Sequence, residues 1–241
     1  MLKIIFYFWY VVGLILMLTI GVPDILSFSN GLFLVFFALY ALTIEQKLGE
    51  KKAIIWTRAA LIGVLTFTIE WIGVRTGFPF GEYNYSNTLG FLLDGVPITI
   101  ATAWVGVLVS AVVISEYQSR WVRAIFVGLW ALFLDLVLDP VAFAKEFWMW
   151  EHEGGFYYGI PLDNFIIWFI LPALLSFVFP LRSISYSIRK EMMRLYQMML
   201  LFFGILGIGQ GMVIPLVIAI VGVILAEGVL RRDQSRQKQM V

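Results

Sequence analysis

Asp135 and Asp139 stand four residues apart in an otherwise apolar stretch, so on a helix both carboxyl groups share one face. A third acid, Glu70, is set in the run Thr66-Phe67-Thr68-Ile69-Glu70-Trp71. Acids among apolar residues are costly, about 2.5–3.5 kcal/mol for a central Asp on membrane-insertion scales, and are expected to face a bundle interior or a polar cavity. Neighbouring carboxylates resist ionising together, so one aspartate is expected to keep its proton at neutral pH, the state a general acid needs. The plainer reading has Asp139 at a helix end or interface and Asp135 hydrogen-bonded to another helix. Glu70 likewise reads as a catalytic acid or as an ion-pair partner of Arg75, about a turn further on. Pro140 is expected to stop or kink the helix directly after the pair.

Trp104 and Trp168 follow Pro97 and Pro161 by seven residues, about 10 Å along a helix, which is too deep for an interfacial belt. Buried aromatics line apolar slots, and their faces stabilise cations. Two segments crowd further aromatics together: Phe78, Phe80, Tyr83, Tyr85 and Phe91, then Phe143, Phe147, Trp148, Trp150, Phe156, Tyr157 and Tyr158. Tyr83, Tyr85, Trp148 and Tyr158 are candidate binding residues, against the bland reading that Trp and Tyr crowd every membrane interface. Asp94 and Asp163 flank the two proline-led helices, where the helix dipole favours an acid, so for Asp94 capping competes with binding. Asn164 carries the same ambiguity. Glu146, Glu151, His152 and Glu153 read as a wet loop rather than a metal site, and no metal is expected.

These residues need elements to hold them, and composition says which. Of 241 residues 61% are hydrophobic and 14% charged, with mean hydropathy +0.91, against about 45–50% apolar and about 25% charged in a soluble domain. The expected fold is all-α, a polytopic transmembrane helical bundle in the cell membrane. Apolar stretches long enough to span fall near 4–22, 26–44, 53–74, 97–114, 121–139, 161–179, 192–208 and 211–229, giving eight spans, or seven if the weak stretch at 192–208 does not cross. The first looks like a signal peptide, but no small-x-small cleavage site follows Ile20 and Gly21; it is expected to stay. Residues 1–230 then form one domain and 231–241 a basic cytoplasmic tail. Fifteen of the seventeen Lys and Arg fall in alternate loops on one side, leaving Arg75 and Lys145, which puts both termini in the cytoplasm. Ten of the sixteen acids lie in the outer half, so a site is expected there.

Gly95-Val96-Pro97 with Trp104 and Gly159-Ile160-Pro161 with Trp168 repeat one pattern, each after an aromatic loop and an ascending span bearing a carboxylate. Spans 3–4 and 5–6 are therefore expected to be parallel hairpin repeats, with a binding site at their interface. Proline in a helix's first turn is also common punctuation, the alternative to true repetition.

A formal charge of +1 gives no bias toward nucleic acid. Zero cysteines exclude disulfides, thiolate metal sites and a cysteine nucleophile. One histidine cannot build the multi-histidine iron site of a lipid hydroxylase. There is no phosphate-cradling loop or paired-aspartate magnesium motif, and Arg75 and Lys145 alone would have to hold a diphosphate; nucleotide and prenyl-diphosphate chemistry are disfavoured.

The run Glu70-Trp71-Ile72-Gly73-Val74-Arg75-Thr76-Gly77-Phe78-Pro79-Phe80-Gly81-Glu82-Tyr83-Asn84-Tyr85, then Leu89-Gly90 and Gly95-Val96-Pro97, resembles the membrane carotenoid hydratases, the carotenoid 1',2'-hydratase and bisanhydrobacterioruberin hydratase family. Asp135, Asp139 and Pro140 with Trp148 and Trp150 agree, as does Tyr157-Tyr158-Gly159-Ile160-Pro161-Leu162 with Asn164 and Phe165. The resemblance covers about residues 60–170 and fades in spans 1–2 and 7–8. It implies cofactor-free addition of water across the terminal isopropylidene double bond of an acyclic, lycopene-like carotenoid, giving a tertiary alcohol. Membrane lipid and other carotenoid-pathway enzymes are the further partners it suggests. The residues fit such chemistry, which needs an acid for the alkene, a stabilised tertiary cation and a polarised water. Asp135 or Asp139 is expected to be the acid, Glu70 a water-orienting base or alternate acid, and Trp104, Trp168 and Tyr83 neighbours of the cation. A carotenoid end-group cyclase would use the same protonation. A proton-coupled transporter would need buried acids too, but with polar residues through the inner half as well.

Overall fold

The computed structural model describes residues 1–151, 155 and 157–239, with backbone alone at 24 and 235–239. It is all-helical: α1 (Leu2–Leu18), α2 (Phe28–Gln46), α3 (Lys52–Thr76), α4 (Ile98–Ile114), α5 (Arg120–Ala144), α6 (Leu162–Leu175), α7 (Tyr186–Gly209) and α8 (Val213–Gln239). Helices α2, α3, α5, α7 and α8 are long and apolar enough to cross a membrane by length and composition, and α1, α4 and α6 with its 3-10 extension to Val178 are shorter apolar helices. The architecture is that of a helical membrane protein.

Several boundaries differ from the sequence reading. Helix α5 does not stop at Pro140 but carries it inside and runs to Ala144. Proline forfeits only the bond to the Leu136 carbonyl, and burial of Val141 and Ala142 holds the following turn in place. Helix α7 begins six residues before the expected stretch at 192, because its polar first turns find partners: Arg189 pairs with Asp233, and Glu191 with Lys47. Helix α8 continues to Gln239, ten residues past the expected stretch ending at 229.

The two ends of the bundle are finished differently. At the end bearing most of the basic residues, guanidinium groups satisfy helix-terminal carbonyls left without intrahelical partners. Arg189 donates twice to Ile114 O at the end of α4 (3.0 and 2.8 Å). Arg123 donates to Ser176 O, Phe179 O and Pro180 O (2.8, 2.9 and 2.8 Å) beyond α6. Arg58 bridges Glu45 and Glu50.

At the opposite end the α3–α4 and α5–α6 connections carry short strands, β1 (Tyr83–Tyr85) and β4 (Trp148–Trp150), with β2 (Leu92–Leu93) and β3 (Val96–Pro97) between them. Strands β1 and β4 pair antiparallel, Tyr83 opposite Trp150 and Tyr85 opposite Trp148, so one ribbon ties two helical hairpins together. Gly81 shows how closely they meet: at φ 113°, its missing Cβ would lie 2.8 Å from Pro161 Cγ at the mouth of α6. No larger residue fits there unstrained.

Candidate active site

Glu70, Asp135 and Asp139 are almost fully buried, 4%, 0% and 1% exposed, and lie on the halves of α3 and α5 nearest the ribbon. Such acids must be hydrogen-bonded to survive burial, and the donors come from other segments. Trp104 Nε1 on α4 donates to Glu70 Oε1 at 2.7 Å, and the hydroxyls of Tyr83 and Tyr85 on β1 both donate to Oε2, Tyr85 at 2.9 Å. Gly73, one turn beyond Glu70, makes room: a Cβ there would sit 2.9 Å from the Tyr83 oxygen. Burial first, then the adjacent Glu70 carboxylate, holds both phenols well above the usual tyrosine range, so they remain donors.

The aspartates use a second set. Asn164 on α6 donates through Nδ2 to Asp139 Oδ2 (2.6 Å) and Asp135 Oδ2 (3.1 Å), bridging the pair, and Trp148 Nε1 on β4 donates to Asp139 Oδ1 (2.6 Å). Asp135 Oδ1 is buried and has no hydrogen-bond partner. The two sets touch through the ribbon, where the Tyr85 and Trp148 rings meet edge to face at 5.9 Å. Trp104 and Trp168 stack across the interface of the hairpins, centroids 4.1 Å apart and planes 20° apart. Eight of the expected residues are thus assembled at one place, and Trp168 makes the ninth through its stack.

On the other side of the indoles lies an apolar cavity of about 210 Å³. Trp104, Trp148, Trp168 and Leu138 line it, and the first two also hold carboxylates, so cavity and acid cluster share a wall. A protonated carboxyl, an ionised carboxylate and aromatic faces beside an apolar slot can protonate an alkene and shelter a cation.

Not all the expected residues gather here. Asp94 is exposed, at φ 52°, and accepts from Trp71 Nε1 (2.7 Å) and from Arg75. Those two hydrogen bonds, Trp71's first, hold its carboxyl below the usual range. It does not cap α4, whose N-cap is Pro97. Arg75 is therefore engaged by Asp94, not by Glu70: five residues along a helix leaves side chains about 140° apart. Tyr158 sits in the turn before α6 at φ 50°, in edge contact with Tyr157. Glu151 accepts from Asn84; His152, Glu153 and Phe156 lie outside the described residues. Among the described residues no group of three or more acidic or histidine side chains is arranged to hold a metal. The sequence reading missed Asn30, a buried polar residue on the cavity wall tied by Nδ2 to Thr88 O at 3.2 Å. Its signal was a lone amide in an apolar span.

The family model described as "Carotenoid biosynthesis protein" matches residues 26–226. Among curated proteins, the bisanhydrobacterioruberin hydratase of Haloarcula japonica is 33% identical over 112 residues, covering 44% of this chain and 38% of that protein. The match thus spans well under half of the relative's length. No solved structure matches.

Proposed function

The chain belongs to the carotenoid biosynthesis protein family, and from that premise we propose that it is a hydratase acting on the terminal isopropylidene double bond of an acyclic carotenoid. The observation that carries the reading is the shared wall, with three buried carboxyl groups on one side of the indoles and an apolar slot on the other. The 33% identity to a named hydratase supports the reaction class.

The steps balance without a cofactor. The Asp135 carboxyl gives its proton to the alkene CH carbon, leaving a tertiary cation on the dimethyl-bearing carbon. Asp135 is the acid because its Oδ1 has no donor to satisfy it, whereas Asp139 accepts on both oxygens and so stays ionised. The Trp104–Trp168 faces and the two carboxylates stabilise the cation. Glu70 accepts three hydrogen bonds, which leaves about one of a carboxylate's four acceptor sites to orient water. Water oxygen bonds to the cation, its proton passes to the aspartate pair, and the pair ends with the one proton it began with. The net change is one water added.

The same proposal places eight crossings in the cell membrane with both termini cytoplasmic, and makes α3–α4 and α5–α6 a repeat. Support comes from the ribbon: β1 begins thirteen residues after Glu70, β4 follows Asp135 by the same interval, and a two-fold axis passing between Asn84 and Met149 would exchange the strands.

The test is expression in a lycopene-producing bacterium grown in partly 18O-labelled water, with mass spectrometry of the pigments. Gain of about 18 mass units per modified end, carrying solvent label, is expected for hydration. An isomer of unchanged mass would make the chain a cyclase instead.

A further inference from the structure

We propose that the apolar slot is a polyene-binding site opening sideways to the lipid, and that α1, which lies outside the family match, forms the wall along which the chain lies. This deepens the hydratase reading and rests on it for the identity of the occupant.

Phe8, Val12, Gly13 and Leu16 give the slot an α1 face, while Phe33 and Phe37 of α2 and Phe202 of α7 line it as well. Phe8 and Phe28 line the slot and are also 61% and 51% exposed, so it reaches the surface beside α1. There a membrane protein meets acyl chains rather than water. Helix α1 is lightly held: Phe6 is its one buried residue, and its polar ties are Trp9 Nε1 to Ser29 O and Lys145 Nζ to Met17 O, each 3.0 Å.

Three observations choose the occupant. The slot is lined by apolar side chains apart from Ser29, Asn30 and the indole N–H groups, which fits a hydrocarbon without a headgroup. Eleven of its twenty-six lining residues are aromatic, offering π-faces that match a conjugated chain better than a saturated one. It is bounded by the indoles that hold Glu70 and Asp139, so a linear chain laid along α1 brings its terminal double bond to the wall behind which the acids lie.

Gly13 provides the test. Its missing Cβ would meet only Phe202, Cζ at 3.8 Å and Cε2 at 4.0 Å, ordinary contacts, so a methyl group can be added there without a clash, and a larger side chain would take up slot volume. Purified protein in detergent micelles is titrated with lycopene while quenching of tryptophan fluorescence is followed; Trp9, Trp104, Trp148 and Trp168 all line the slot. Saturable quenching that oleate does not reverse is expected. Gly13→Leu should weaken it about tenfold or more, as filling a packed space does, with Gly13→Ala intermediate. Ile15→Phe, on the 56% exposed outer face of α1, should leave it unchanged. All variants must elute as the wild type does, and Gly13→Ala decides the matter if Gly13→Leu fails to fold. Equal binding by wild type and the Gly13 variants, or displacement of lycopene by oleate, overturns the proposal. Binding lost in Gly13→Leu with no hydrated pigment from wild type would keep the slot and sink the hydratase; equal hydration by both would do the reverse.

Discussion

Replacing each aspartate by its amide separates chemistry from stability, because the two sit in unequal hydrogen-bond environments. Asp139 accepts from Trp148 on one oxygen and from Asn164 on the other. In Asp139→Asn one of those donors must face an NH2 group, leaving a buried N–H unsatisfied at a cost of about 1–3 kcal/mol. Asp135 accepts only at Oδ2, and its Oδ1 touches no donor. In Asp135→Asn the new amide nitrogen opposes no donor and replaces a carboxyl O–H that is itself without a partner, so this variant should lose less stability than Asp139→Asn. Turnover should nonetheless fall by about 10²–10⁴-fold for loss of a general acid, equivalent to about 3–5 kcal/mol of barrier. The assay is the labelled-water pigment analysis, with thermal unfolding of both purified variants in one detergent. Full hydration by Asp135→Asn would refute the assignment of the acid. Equal destabilisation of the two variants would refute the hydrogen-bond argument beneath it.

Trp104→Phe keeps an aromatic ring against Trp168 and removes only the donor to Glu70 Oε1. Unfolding free energy should drop by about 1–3 kcal/mol together with hydration, and unchanged values for both would count against a role for that bond. Glu50, in the α2–α3 turn, is held at about 2 against an ordinary 4.5, first by the hydrogen bond from Arg58. A depressed carboxyl stabilises fully above its ordinary value and loses that contribution as pH falls toward the depressed one. Melting temperature should accordingly decline between about pH 4.5 and 2, a slope that Glu50→Gln should flatten. Since the chain has no cysteine, Phe91→Cys, 72% exposed, should react with an impermeant maleimide on intact cells. Lys51→Cys should react only after permeabilisation, and the opposite pattern would invert the proposed topology.

The parts of this site that follow from local spacing were legible. The i, i+4 rule put Asp135 and Asp139 on one face, and equal offsets from two prolines placed Trp104 and Trp168 at one depth, where they stack. What depends on distant partners was not. Glu70 has an obvious cation five residues on, yet its partners are 13, 15 and 34 residues away. The strands that deliver Tyr83, Tyr85 and Trp148 are three residues each, too short for an alternating pattern to be visible. Pro140 is a strong local stop signal overridden by burial of the turn that follows. The α1 wall was hidden for another reason: a helix facing lipid on one side and an apolar slot on the other is hydrophobic all round, and its sequence does not say which face has a task.

The two ends of the molecule handle buried acids by opposite means. Glu45, 1% exposed, is met by the Arg58 guanidinium, and Glu50 by Arg58 and Arg182; a paired cation favours the charged form of a carboxylate and ties it to a structural role. At the ribbon end Glu70, Asp135 and Asp139 are met by Tyr83, Tyr85, Trp104, Trp148 and Asn164, all neutral. Neutral donors offset the desolvation of a carboxyl group without cancelling its charge, so a proton can still be gained and given up there. A guanidinium would also repel the carbocation that the proposed reaction forms. Arg75, five residues on from Glu70, pairs with Asp94 and lies over Trp71 at 4.6 Å, away from Glu70.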